Sequence, residues 1–117
     1  MFWSSTPYGI RGARERDYTC WFQVCLLGSG KVQFIDYKGD YLSMDPTDKR
    51  NAIKTVKEPK PPYSEFEVQY ENEKVIFKAS NGMFLRATWH YGEVHIVEAI
   101  QTSTDRHSGL IRIASDV

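Results

Sequence analysis

An internal repeat constrains the fold of this chain more than any other feature of its sequence. Residues 31–43 align with residues 74–86 without a gap, at an offset of 43 residues. Five residue types (lysine, valine, phenylalanine, glycine and leucine) are identical at matching positions, and Tyr41 aligns with Phe84. Such a repeat indicates that one supersecondary unit occurs at least twice and buries its apolar face against its neighbours.

Further matches extend the repeat on both sides. Residues 21–24 precede the first copy as residues 66–69 precede the second, and residues 110–113 follow at an interval of 44–45 residues. Because Arg112 falls where the other copies carry valine, the register of this third segment stays open by one residue. A single domain covering residues 1–117 is predicted, in agreement with the length of the chain.

Short runs of β-branched and aromatic residues, separated by turn residues, predict an all-β chain. The predicted strands cover residues 21–26, 31–37, 41–44, 52–56, 66–70, 74–79, 83–87, 93–98 and 110–114. Asn81-Gly82 is the strongest turn signal, because Asn-Gly supplies the positive φ values of a two-residue hairpin turn. Residues 57–62 are predicted to form a loop, since their three prolines cannot donate hydrogen bonds within a sheet.

The repeated unit is a hairpin with an apolar face, followed by two more strands. A single hairpin of this kind is marginally stable in water, so the units must pack against each other. A propeller needs about four blades or more, and this chain holds fewer than three units. A β-trefoil of four-strand units is therefore predicted, with repeat strands at residues 21–24, 31–56, 66–98 and 110–114.

The motif Lys-Val-x-Phe-x-x-x-x-Gly-x-Tyr/Phe-Leu, preceded by Phe-x-Val, resembles the repeat of fascins and of hisactophilin. The resemblance covers residues 21–113. It implies a β-trefoil that associates with actin in the cytoplasm, in fascins by bundling filaments. The many surface histidines of hisactophilin have no counterpart, because this chain contains three histidines.

The repeat that would precede the copy at residues 31–43 is incomplete. Counting back 43 or 44 residues from Lys31 passes the first residue, so the opening strand of that repeat has no counterpart. Residues 2–5 are the nearest substitute for the strand at residues 41–44. We expect an incomplete trefoil, a truncated product or an assembly that lends strands between copies. In each case, aromatic side chains near the N-terminus would be exposed, namely Phe2, Trp3 and Tyr8.

Catalytic motifs are absent from the sequence. It contains no Gly-x-Ser-x-Gly, no Gly-x-x-x-x-Gly-Lys and no His-Glu-x-x-His. The histidines and cysteines show no metal-ligand spacing. The chain is predicted to be no enzyme and to hold no cofactor.

The two cysteines bear on the cellular compartment. Cys20 and Cys25 are five residues apart, which on one extended strand puts their side chains on opposite faces, where no disulfide can close. Free thiols are typical of a reducing compartment. The sequence also lacks a secretion signal and an apolar run of about 20 residues. A cytoplasmic location is predicted.

Charge gives a local signal only. Fifteen basic and fifteen acidic residues cancel, so no global field favours nucleic acid. A basic cluster, opposed by Asp48 and Glu58, spans a loop, a strand and the proline-rich segment. Its members are Lys49, Arg50, Lys54, Lys57 and Lys60. These residues are candidate contacts to an acidic actin surface or, with weaker support, to lipid phosphates at a membrane surface.

Two further segments are candidate contact sites. Trp89 and Tyr91 are predicted to lie in a turn between two strands, where exposed rings can stack on a sugar or a protein. Residues 59–62 fit a Pro-x-x-Pro pattern, which a connecting loop explains equally well.

Three functional hypotheses follow. The first is a non-catalytic cytoplasmic binding module for actin or another protein. The second is a carbohydrate- or heparin-binding trefoil of the growth-factor or lectin kind. The third is a structural fragment that self-associates as a homo-oligomer.

Overall fold

The computed structural model describes residues 2–71, 74–90 and 94–101, and the statements below concern these ranges. They hold ten β-strands and one 3₁₀ turn, Tyr18–Cys20, with no α-helix, so the all-β prediction is confirmed for them. The strands are β1 Phe2–Thr6, β2 Gly9–Ala13, β3 Gln23–Gly28, β4 Lys31–Ile35, β5 Tyr41–Met44, β6 Ile53–Val56, β7 Phe66–Glu71, β8 Lys74–Lys78, β9 Phe84–His90 and β10 Val94–Gln101.

The strands form one antiparallel sheet that nearly closes into a barrel. Along it the order is β1-β2-β10-β9-β8-β7-β4-β5-β6, and β3 pairs with β4 beside this path. The β6 end of this order approaches β10, where Ala52, just before β6, bridges to Glu98. The backbone N–H of Ala99 also donates to the carbonyl of Asn51 at 3.1 Å. These contacts join the first-unit loop to the last described strand.

The two repeat copies form three-stranded units with matching pairing. In the first unit, β3–β4–β5, Ile35 pairs with Tyr41; in the second, β7–β8–β9, Lys78 pairs with Phe84. These pairs are related by the offset of 43 residues that the sequence alignment gives. The first strands are related by 44 residues, and a β-bulge near the end of β3 accommodates the additional residue.

The turns inside the two units also share their backbone hydrogen bonds. The N–H of Asp36 donates to the carbonyl of Asp40 at 2.8 Å, and the N–H of Ala79 donates to that of Met83 at 2.9 Å. At Asn81-Gly82 the position of the predicted turn is confirmed, but its type is wrong. Only Gly82 of this pair has a positive φ, because the loop closes between residues 79 and 83 and is longer than two residues.

The N-terminal segment forms a hairpin that the sequence did not predict. β1 pairs with β2, and β1 has the burial order of β5: one half-buried residue followed by three buried ones. The expected exposure of Phe2 and Trp3 is corrected, since Phe2 is half-buried and Trp3 is buried. Only Tyr8, at the tip of the hairpin, is exposed as expected. Packing on the core, rather than local sequence, fixes this segment.

Aromatic rings make up the centre of the core. Trp3 contacts the rings of Phe22, Phe34 and Phe77, with centroids 5.6 Å apart for Phe34 and for Phe77. Phe34 and Phe77 meet edge-on at 5.0 Å. Edge-to-face pairs of this kind add to the stabilisation from burial alone. β1 is thereby packed onto both repeat units.

Several smaller predictions are also resolved. The cysteines are free thiols as predicted, although Cys20 lies in the 3₁₀ turn and not on the strand that carries Cys25. Residues 57–62 lie outside the strands, as predicted. The described residues contain no helix with the length and hydrophobicity that crossing a membrane requires. The strand predicted at residues 110–114 lies outside the described residues.

Candidate functional site

A groove of about 400 Å³ lies between the loop that follows β5 and the proline-rich loop. Residues of β5, β6 and both loops line it: Ser43, Met44, Asp45, Pro46, Thr47, Lys54, Thr55, Val56, Lys60 and Tyr63. The N–H of Met44 donates to the carbonyl of Tyr63 at 3.0 Å. This hydrogen bond fixes the proline-rich loop at the end of β5.

The proline-rich loop is held in shape by its own hydrogen bonds. The N–H of Lys60 donates to Oγ of Ser64 at 2.9 Å, and the N–H of Ser64 donates back to the carbonyl of Lys60 at 3.1 Å. Ser64 is fully buried, so its hydroxyl anchors the loop from inside. The ring of Tyr63 is left on the surface, beside the groove.

The opposite wall of the groove is the turn at Asp45, whose carboxylate pairs with the ammonium of Lys54. Oδ1 of Asp45 accepts from the N–H and the hydroxyl of Thr47, at 2.9 and 2.7 Å, and Oδ2 accepts from Nζ of Lys54 at 2.8 Å. The Lys54 ammonium, followed by Thr47, holds the pKa of Asp45 well below its usual value of 3.8. Asp45 in turn raises the pKa of Lys54. Both groups are charged at neutral pH, and each largely neutralises the other.

The structure brings together only part of the predicted basic cluster. Lys54 and Lys60 both line the groove. Arg50 instead pairs with the buried carboxylate of Glu98, and Lys57 pairs with Asp40 at 3.2 Å. Three of the five cations, Lys54 among them, thus have carboxylate partners, which weakens the positive field of the cluster.

The remaining two cations differ in position. Lys49 is exposed on the loop before β6 and does not line the groove, whereas Lys60 is exposed at its rim. Within the described ranges neither side chain makes an ion pair. Lys60 is therefore the cation of the groove that can meet an anionic ligand group.

The predicted aromatic contact residues receive a partial correction. Trp89 lies within β9, where it pairs with His95, and not in a turn as predicted. The strand continues to His90 because β10 pairs along its whole length. Tyr91 lies outside the described residues.

Histidine, cysteine and acidic side chains of the described residues are the candidates for metal binding or nucleophilic chemistry. No group of three or more His, Cys, Asp or Glu side chains among them is arranged to hold a metal ion. Cys20 is buried, and its thiol lies 3.9 Å from the carbonyl of Glu15. The groove supplies a cation, hydroxyls and apolar surface, which are common in the lining of binding sites.

Sequence reasoning missed most of the groove. Met44, Val56 and Tyr63 were not predicted as contact residues, because each looks like an ordinary strand or loop residue in the sequence. One local signal was present: Asp45-Pro46-Thr47 is a turn sequence in which an aspartate accepts from the residue two positions on. It could have indicated a rigid loop, but not what that loop faces.

No protein-family model matches the chain, and no curated protein is significantly similar to it in sequence.

Proposed function

We propose that this chain is a non-catalytic module that binds a protein partner through the groove between β5 and the proline-rich loop. One observation carries the proposal: an apolar surface at Val56 and Tyr63 lies beside Lys60, a cation without an ion pair in the described ranges. A concave, partly apolar site with a few polar groups is the usual form of a binding site.

The chemistry of the groove defines its ligand. An aliphatic or aromatic side chain packs against Met44, Val56 and Tyr63, while a neighbouring carboxylate pairs with Lys60. Hydroxyls of Thr47 and Thr55 can fix the backbone of a bound segment. The partner class is thus a protein surface or segment that combines an apolar side chain with an acidic residue.

The matched repeat units support the finer assignment of the fold as a β-trefoil of the fascin and hisactophilin kind. Its support is the equal pairing and equal turn hydrogen bonds of the two three-stranded units. On this assignment actin, whose surface is acidic, is the first partner to test. Free cysteines agree with a cytoplasmic partner.

Co-sedimentation with filamentous actin over a salt series tests the partner, and two variants test the site. Lys60→Glu reverses the charge at the groove, and Lys49→Glu makes the same change outside it as a matched control. We expect Lys60→Glu to weaken binding about tenfold or more, since it replaces an attraction with a repulsion. Lys49→Glu should change the affinity about twofold or less.

The two parts of the proposal fail separately. Absence of sedimentation with actin even at low salt would remove actin as the partner, and leave the groove to be tested with other acidic proteins. Equal effects of the two lysine variants on any protein partner would instead remove the groove. Tyr63→Ala distinguishes apolar contact from charge alone, because it should weaken binding without changing the salt dependence.

A carbohydrate ligand is the second candidate. The exposed Tyr63 lines the same groove as Thr47 and Thr55, and an aromatic face in a site with polar groups can stack on a sugar. Binding on a glycan array that Tyr63→Ala abolishes and Lys60→Glu leaves unchanged would favour this candidate.

A further inference from the structure

The outer edge of β3 is open in the described part of the molecule. β3 pairs with β4 on one side, and no described strand lies on the other. Its residues, Gln23 to Gly28, include no charged residue and no proline. Natural proteins usually protect such edges with lysine, proline or a covering loop. A bulge near Gly28 is the sole device of this kind that β3 carries.

Two side chains of β3 lie on the core face of the sheet and are nevertheless exposed to solvent. Val24 pairs with Phe34 and Leu26 pairs with Val32, so each lies on the same face as a buried residue. Leu26 is nevertheless 83% exposed. An apolar face that extends past the core of a monomer, on an unprotected edge, is typical of an interaction surface.

The second repeat unit shows what this edge can accept. β7, which matches β3 at an offset of 44 residues, carries β4 on its outer edge through the pairs Lys31–Glu67 and Val32–Phe66. The N–H of Val68 also donates to the carbonyl of Gly30 at 2.9 Å. The matching residues at the start of β3, Gln23 and Val24, therefore lie on an edge that receives an antiparallel strand in the second unit.

We propose that β3 pairs antiparallel with β3 of a second copy of this chain, about a twofold axis at Cys25. This register places Leu26 opposite Val24 of the partner copy, so that the most exposed side chain of the strand meets apolar surface. An uncharged strand can pair with itself without like-charge repulsion, and the twofold axis repeats each contact. The four-stranded sheet β8–β7–β4–β3 then continues across both copies.

The register has a chemical consequence at the axis. Cys25, a half-buried free thiol, lies opposite Cys25 of the partner copy, whereas Cys20 is buried. Opposite residues of antiparallel strands have Cα atoms about 4.5–5.5 Å apart, which is within the range of a disulfide. Diamide can oxidise the pair: the two thiols lose two electrons and two protons, which diamide takes up as it becomes the hydrazine.

Sedimentation velocity of the full chain over a concentration series tests the proposal under reducing conditions. We expect a monomer–dimer equilibrium, which Leu26→Lys shifts toward monomer by about tenfold or more in the dissociation constant. Tyr8→Lys is the matched control, since Tyr8 is 76% exposed and lies on the β1–β2 turn. It should leave the equilibrium unchanged, and both variants should keep the circular dichroism spectrum of the parent.

Cross-linking gives an independent readout of the register. Brief diamide treatment should yield a disulfide-linked dimer, which Cys25→Ser and Leu26→Lys both abolish and Cys20→Ser does not. A chain that stays monomeric at every concentration overturns the proposal, as does a dimer that Leu26→Lys and Tyr8→Lys affect equally. A dimer that forms without Cys25 cross-linking overturns the register. Lys60→Glu should not alter the dimer, so this result is independent of the groove.

Discussion

The two repeat units share their strand pairing and their turn hydrogen bonds but use different side chains to join the rest of the molecule. Their turns close with equivalent hydrogen bonds, from Asp36 to Asp40 and from Ala79 to Met83. The third residue after the start of each turn, Gly39 or Gly82, has a positive φ. Each position has the conformation that glycine adopts without steric cost, so the turn geometry follows directly from the repeated sequence.

In the first unit, a buried aspartate stabilises the turn and links it to β1. Oδ1 of Asp36 accepts from the N–H groups of Lys38 and Asp40, at 3.0 and 2.9 Å. Its Oδ2 accepts from the hydroxyl of Ser5 at 2.6 Å. The Asp36 carboxylate thus accepts the free N–H groups of the turn and, through Ser5, also binds the N-terminal hairpin.

In the second unit, the side-chain amide of Asn81 stabilises the turn, although Ala79 is the residue that aligns with Asp36. Oδ1 of Asn81 accepts from the N–H of Met83 at 3.0 Å, and its Nδ2 donates to the carbonyl of Ala99 at 3.0 Å. Nδ2 also lies 3.3 Å from Oδ1 of Asn51. This turn is joined to β10 and to the loop after β5. In both units, single side chains of the turn therefore determine which neighbouring segment the turn binds.

The largest expected contrast is in the core. Phe34 is fully buried among Trp3, Phe66 and Phe77, whereas Phe77, its counterpart in the second unit, is only partly buried. Phe34→Ala should reduce the free energy of unfolding by about 3–5 kcal/mol, and Phe77→Ala by about 2 kcal/mol. Urea denaturation measures both. Equal losses would show that the two units contribute equally to the core.

A second contrast concerns the turn side chains. Asp36→Ala leaves three donors without their acceptor at a buried site and should cost about 3 kcal/mol, while Asn81→Ala, at an exposed site, should cost about 1 kcal/mol. Combining Asp36→Ala with Ser5→Ala should cost less than the sum of the two changes, because they break one shared hydrogen bond. Strict additivity would argue against the Ser5 contact.

Matching valines supply a smaller contrast. Val32 is 3% exposed and Val75 is 46% exposed, although they occupy the same position of the repeat. Val32→Ala should destabilise the chain by about 2 kcal/mol, and Val75→Ala by about 0.5 kcal/mol, in proportion to the apolar area removed from water. A loss at Val75 as large as that at Val32 would mean that a further part of the chain covers it.

The smallest expected effect depends on pH. Asp45 follows β5 in the first unit, whereas the matching residue of the second unit is Thr88, within β9. Since the pKa of Asp45 is lowered in the folded chain, its stabilisation is complete above its usual value of 3.8 and is lost as the pH falls below it. Asp45→Asn should cost about 0.5–1 kcal/mol at neutral pH, because the ion pair with Lys54 is only half-buried and water screens it.

Urea denaturation over a pH series checks this prediction. The difference between the parent chain and Asp45→Asn should become smaller as the pH falls below about 4, because protonation removes the charge that the variant lacks. Thr88→Val serves as the control in the second unit, and its effect should not change with pH. A difference for Asp45→Asn that persists in acid would contradict the prediction, because it would show that the charge of Asp45 is not what stabilises this loop.

The sequence predicted most of the strands but little of the groove. The strand at Tyr41–Met44 was predicted with its observed bounds, because it is a short run with aromatic and apolar residues that follows the turn at Lys38-Gly39-Asp40. Residues 2–5 were predicted only as the nearest substitute for a repeat strand, and β1 covers them. β2 and its pairing with β1 were missed, since Gly9 and Gly12 carry no strand signal. This pairing depends on Trp3 packing into the core, which is a contact between distant parts of the chain.

By itself the sequence determined the all-β class, the repeat and the positions of the inner turns. These features follow from local properties: the period of apolar residues, the conformational freedom of Gly39 and Gly82, and the missing N–H groups of the prolines. The tertiary structure alone decided that Arg50 pairs with Glu98, that Lys60 faces a groove with Tyr63, and that no described strand covers the outer edge of β3. Such features depend on which surfaces meet after the sheet curves, and the energy of each contact depends on distance and burial that no local pattern records.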